Sequence, residues 1–141
     1  MTENNNRFYT LKGYALIENN LITSSMEDYL EMIYKIHAAG EAIRVGVVAQ
    51  KLNVKPSSAT KMVSNLKNQG LVLSEKYGYI QLTEAGAELG KYLVFRHDTL
   101  HRFLCYINQS EDELEQVEKI EHFINIETVE NINKLLNSLS L

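Results

Sequence analysis

Pro56 is the only proline in the chain, and the residues on either side of it restrict what can fold there. Before it, Val45, Val48, Ala49 and Leu52 recur at helical spacing, and Asn53-Val54-Lys55 breaks the pattern. A first helical position tolerates proline, because the missing N–H would have no partner in that turn. After it, Ala59, Met62, Val63 and Leu66 form one apolar stripe, with Ser57, Ser58, Thr60, Lys61, Ser64 and Lys67 on the remaining surface. Gly70 is placed to end this second helix. Residues 71–75 and 79–82, joined through Lys76-Tyr77-Gly78, read as two strands of a hairpin. Helix, turn, helix and β wing outline a winged helix-turn-helix, whose second helix has the dimensions to enter a DNA major groove.

The net charge of −4 has the wrong sign for a DNA-binding protein taken as a whole. Residues 44–79, however, hold six basic residues (Arg44, Lys51, Lys55, Lys61, Lys67, Lys76) against Glu75 alone, so this stretch carries +5 and the remainder −9. That asymmetry suits a phosphate-facing module joined to an acidic one that needs a cation or another partner. Phosphate contacts are expected from Arg44, Lys55, Lys67 and Lys76, and groove contacts from Ser57, Ser58, Thr60 and Lys61 at the exposed start of the second helix. A chain of 141 residues can bury one good core or two small ones. Cys105 is the single cysteine, which excludes an intrachain disulfide and suits a reducing cytosol. No apolar run approaches the roughly 20 residues that cross a bilayer. Residues 1–6 are polar and Asn-rich and do not form a secretion signal, so the expected location is cytoplasmic, without a membrane partner.

Residues 1–23 are an N-terminal extension in which Phe8, Tyr9, Leu11, Tyr14, Leu16, Ile17, Leu21 and Ile22 are too apolar for a free tail, at a spacing that fits neither period. Ser25-Met26-Glu27-Asp28 reads as a capping box opening a helix to about residue 39, with Met26, Tyr29, Leu30, Ile33 and Ile36 inward. Asp28 and Glu31 share one flank of it; taken singly, each is an ordinary helix-surface acid. Thr83 is placed to cap a long helix to about residue 107, whose Ala87, Leu89, Leu93, Val94, Leu100, Leu104 and Cys105 spread a broad apolar surface. A two-fold dimer is the simplest way to cover it. The same helix carries His97 and His101 one turn apart. Ser110-Glu111-Asp112-Glu113 reads as a second capping box, and Glu118, Glu121 and His122, at i, i+3 and i+4, leave one face of the next helix together. Such a group either needs a cation or is an exposed acidic face. Residues 127–138 form a last amphipathic helix, with Val129, Ile132, Leu135, Leu136 and Leu139 inward.

Four separated segments, Ser25-Met26-Glu27-Asp28-Tyr29-Leu30-Glu31, Pro56-Ser57-Ser58-Ala59-Thr60-Lys61-Met62-Val63, Val94-Phe95-Arg96-His97 and Val117-Glu118-Lys119-Ile120-Glu121-His122, together resemble the metal-dependent repressors related to the diphtheria toxin repressor. Within them the chain is most similar to the manganese-responsive branch, the manganese transport regulators, from about residue 24 onward. The resemblance implies a mainly α chain: a winged helix-turn-helix DNA-binding domain over 24–82, then an all-helical metal-binding and dimerisation domain over 83–141. It implies that Asp28, Glu31, His97, Glu118, Glu121 and His122 build a binuclear site for manganese(II), two ions per subunit, with iron(II), zinc(II), cobalt(II) or cadmium(II) as substitutes. It further implies a homodimer on a palindromic double-stranded operator, repressing metal-uptake genes when the metal is plentiful.

The donor chemistry agrees with that implication. Carboxylates and imidazoles without thiolate suit a hard ion such as manganese(II), although affinity alone favours later transition metals. Iron-responsive relatives place softer sulfur ligands where Asp28 and Glu118 stand, and carry an additional C-terminal domain that is not expected here. His101 is outside the family's ligand set, and residues 1–23 exceed its usual lead-in. A winged-helix sensor of a small organic ligand is the first alternative. A dinuclear metal hydrolase is the second, but no nucleophile or general base stands beside the proposed ligands, so neither enzyme activity nor an organic substrate is expected.

Overall fold

The computed structural model describes residues 16–17 and 21–139, so Phe8, Tyr9, Leu11 and Tyr14 lie outside the described residues. The chain divides into two compact units, and the boundary falls between Tyr92 and Leu93, inside one long helix.

The first unit contains α1 (Ser24–Ala38), β1 (Ile43–Arg44), α2 (Val45–Leu52), α3 (Pro56–Asn68), β2 (Val72–Ser74), a 3-10 turn (Lys76–Gly78), β3 (Tyr79–Leu82) and the start of α4 (Glu84–Asn108). The cap of α1 is Thr23 and not Ser25: its hydroxyl accepts from the Met26 N–H at 3.2 Å. Thr23 has the extended backbone a cap requires, whereas Ser25 is already inside the helix. Met26, Tyr29, Leu30, Ile33 and Ile36 are buried as expected, and Glu27 with them.

Between α2 and α3, Asn53 turns the chain in the left-handed region (φ 55°), and Pro56 opens α3. Ala59, Val63 and Leu66 face inward from α3. Gly70 (φ 75°) ends that run, with the Gly70 N–H on Lys67 O at 2.9 Å and the Leu71 N–H on Leu66 O at 3.0 Å. The wing is one strand larger than the sequence suggests: an antiparallel sheet in the order β1-β3-β2 pairs Ile43 with Ile80, Arg44 with Tyr79 and Val72 with Leu82. Two residues are too few for an alternation to be seen, which is why β1 escapes a sequence reading. Thr83 does cap α4, accepting from the Gly86 N–H at 3.0 Å while donating to Gly70 O at 2.7 Å, so one side chain ties the end of α3 to the start of α4. Leu30, Ile33, Val48, Ala59, Leu66, Leu71, Val72 and Leu89 form the interior; each large aliphatic side chain among them contributes about 1.5–3 kcal/mol by leaving water.

The second unit contains the rest of α4, α5 (Leu114–Ile120), a 3-10 turn (Glu121–Phe123) and α6 (Ile126–Ser138). Its core joins Leu100 and Leu104 of α4 to Val117 of α5, with Phe103, Ile120, Ile124 and Ile132 against them. The second capping box does not form. Helix α5 begins only at Leu114, Asp112 Oδ1 accepts from the Leu114 N–H at 2.9 Å, and the Ser110 hydroxyl donates to Glu113 Oε1 at 2.8 Å. Asn125 caps α6, accepting from the Thr128 N–H at 2.9 Å. Val129 and Leu136 are buried, but Leu135 and Leu139 are exposed, contrary to the amphipathic pattern. Among the described residues no helix is long and apolar enough to cross a membrane.

Candidate metal centre and nucleic-acid interface

In the first unit, Asp28 and Glu31 project from α1 one turn apart. Asp28 is exposed; Glu31 is half-buried and paired with Lys35 Nζ at 3.2 Å. All eight residues expected to face DNA are exposed. Ser57, Ser58, Thr60 and Lys61 occupy the first two turns of α3, and the N–H groups of Ser57 and Ser58 precede the first helical bond, which Ala59 makes to Lys55 O at 3.1 Å. The Thr60 hydroxyl donates to Pro56 O at 3.0 Å and so presents its lone pairs outward. Arg44 also holds the wing in place, donating to Tyr77 O at 3.1 Å and lying over the Tyr79 ring at 5.0 Å, so that β1 is joined to the hairpin. Tyr77, 82% exposed with φ 63°, forms the tip of that wing. From the sequence it belongs to the connection without an assigned role, and the Tyr-Gly pair within so short a hairpin is the signal that singles it out.

In the second unit, three of the four expected ligands come together. His97 Nδ1 lies 2.8 Å from Glu121 Oε2, and His122 Nε2 lies 3.9 Å from Glu121 Oε1. Glu121 is only 3% exposed, and a buried carboxylate is costly unless paired. Glu118 stands apart. Helix α5 stops at Ile120 (φ −111°), and Glu121 and His122 follow in a tighter 3-10 turn, so the single face expected for Glu118, Glu121 and His122 is broken and Glu118 is exposed. His101 has a structural partner instead: its Nε2 accepts from the Glu113 N–H at 3.2 Å, with Cys105 Sγ 3.6 Å away. Arg96, 3% exposed, is not singled out by the sequence and places Nη2 3.3 Å from His122 Nδ1. Two imidazoles around a buried carboxylate, with no thiolate among them, are a donor set that fits a hard divalent cation.

Residues 21–80 match the family described as iron dependent repressor, N-terminal DNA binding domain, and residues 83–140 match iron dependent repressor, metal binding and dimerisation domain. The chain belongs to the iron-dependent repressor family. As a member of that family it is a metal-dependent, DNA-binding transcriptional repressor of the manganese-regulator type, and not an enzyme. The HTH-type transcriptional regulator MntR of Oceanobacillus iheyensis is 40% identical to this repressor over 116 residues, covering 82% of this chain and 79% of the relative. Among solved structures, the manganese regulator SloR superimposes with a TM-score of 0.70 at 31% identity, and ScaR with bound Zn2+ with 0.68 at 28%. Each superposition covers 79% of this repressor and 53% of the other chain, so the repressor spans about half the length of those structures.

Proposed function

We propose that this repressor is activated by manganese(II), acts in the cytoplasm as a homodimer on a palindromic double-stranded operator, and silences genes for metal-ion uptake. The observation that carries the reading is the buried Glu121 carboxylate with His97 and His122 beside it. Asp28, Glu31, His97, Glu118, Glu121 and His122 would hold two cations per subunit. Bound there, divalent ions would supply the positive charge that four carboxylates require. Iron(II), zinc(II), cobalt(II) and cadmium(II) are expected to substitute, and ScaR has been solved with Zn2+ and with Cd2+.

The placement of the ligands in the chain supports a switch. Asp28 and Glu31 belong to α1, whose apolar stripe is part of the interior of the winged unit; the other four ligands belong to the unit that dimerises. Side chains from both units sharing one set of ions would fix the spacing of the two recognition helices, favouring the separation of successive major grooves. Moving the DNA-competent fraction from about 1% to about 99% requires about 5.5 kcal/mol of preferential ligation, and operator DNA must then tighten ion binding by the same factor. On the DNA, Ser57, Ser58, Thr60 and Lys61 would read the groove while Arg44, Lys55, Lys67 and Lys76 contact phosphates.

Isothermal titration of the full chain with manganese(II) tests the site. The expected result is two ions per subunit in the native protein and the loss of tight binding in Glu121→Gln, whose amide keeps the shape but removes the charge. Undiminished binding in that variant would contradict the assignment.

A further inference from the structure

Arg96 immediately precedes His97 on α4 and is almost fully buried. A guanidinium has five N–H donors, no acceptor and no accessible neutral form, so its contact with His122 Nδ1 can run in only one direction. Nδ1 accepts at 3.3 Å. A neutral imidazole has one ring lone pair, and its other nitrogen carries the hydrogen. His122 is therefore held as the Nε2–H tautomer, with that N–H 3.9 Å from Glu121 Oε1. His97 is arranged in the opposite sense. Its Nδ1 lies 2.8 Å from Glu121 Oε2, and a carboxylate only accepts, so Nδ1 carries a hydrogen and, in the neutral ring, the lone pair is on Nε2. Of the two histidines beside Glu121, one has its metal-binding electrons on Nε2 and the other has them engaged by an arginine.

We propose that Arg96 is a positioning residue that sets the metal affinity of this repressor: its guanidinium engages the His122 lone pair in the metal-free protein and has to release it before His122 can ligate. The inference rests on the metal-site reading above. It assigns Arg96 the part of an internal cation that keeps the second unit's share of the site ordered without metal and raises the concentration at which metal is taken up. A charge-assisted hydrogen bond that the native protein must break, and that a variant lacks, predicts a difference of about tenfold in affinity.

The test is a titration of the full-length chain with manganese(II), comparing the native protein, Arg96→Met, His122→Gln and the double variant, with helical content checked by circular dichroism. The expected result is about tenfold tighter binding in Arg96→Met, weaker binding in His122→Gln, and no gain from Arg96→Met once His122 is replaced. A residue that merely fills space would not produce a gain that depends on His122. Equal or weaker binding in a folded Arg96→Met, or a gain that survives in the double variant, overturns the proposal while leaving the metal site standing. A native protein that binds no manganese(II), or binds it equally well as His122→Gln, overturns the site reading and this proposal together. Nitrogen-15 spectra of the His122 ring in the metal-free native protein give a check that needs no buried substitution. The Nε2–H tautomer is expected, and an Nδ1–H tautomer would overturn the proposal.

Discussion

Thr23 and Ser25 show how a single hydroxyl is chosen to begin a helix. Both are good capping residues two positions apart, but only Thr23 combines an extended backbone with a bond to the Met26 N–H. Thr23→Ala is accordingly expected to lower stability by about 1 kcal/mol, while Ser25→Ala stays within about 0.5 kcal/mol of the native value. Urea unfolding in the presence of chelator measures both, and equal losses would place the cap wrongly. This is also where the sequence is hardest to read. A capping box is a statement about residue types, whereas a cap depends on which residue leaves the helical backbone region. Thr83 is legible because a strand ends immediately before it; Ser110 is not, because its hydroxyl goes to the Glu113 carboxylate within a loop. Arg96 is illegible for a related reason: nothing in Phe95-Arg96-His97 says that the middle residue is buried against an imidazole from a distant turn.

Helix α4 shows the same selectivity for an entire element. A side chain at Gly86 would bring Cβ to 1.9 Å from the Leu71 carbonyl oxygen, and one at Gly90 would bring it to 2.6 Å from Tyr34 Cβ, so these glycines are what lets α4 lie so close to its neighbours within the first unit. Gly46, in α2, has nothing within 4 Å of the corresponding position. Gly86→Ala is therefore expected to cost about 1–3 kcal/mol or more, because backbone must move, whereas Gly46→Ala is expected to stabilise by about 0.5 kcal/mol through helix propensity. Thermal unfolding distinguishes them, and a stabilised Gly86→Ala would refute the close approach. Apolar periodicity is enough to recover α2, α3, α4 and α6, since each buries one stripe. It does not reveal the break at Ile120, where Val117 to His122 contains neither glycine nor proline and reads as continuous helix. The exposed Leu135 and Leu139 fit the periodicity of α6 but not the interior of one subunit; they are in the region that matches a dimerisation domain.

For the whole molecule, the separation of charge along the chain says more than its sum. The excess of basic over acidic residues lies in the region that matches a DNA-binding family domain, and the excess of carboxylates lies in the region that matches the family's metal-binding domain. Metal and operator are then two ligands of one equilibrium, and each must report on the other. The most direct test of that claim is the affinity for a duplex selected from a randomised pool, measured at fixed salt because phosphate contacts make binding salt-dependent, with manganese(II) and again with chelator. At least tenfold tighter binding with manganese(II) is expected, with loss of that response when Glu118 and Glu121 are both replaced by alanine. Equal affinity with metal and with chelator would contradict it, because the carboxylate and imidazole cluster would then not govern the DNA-binding unit.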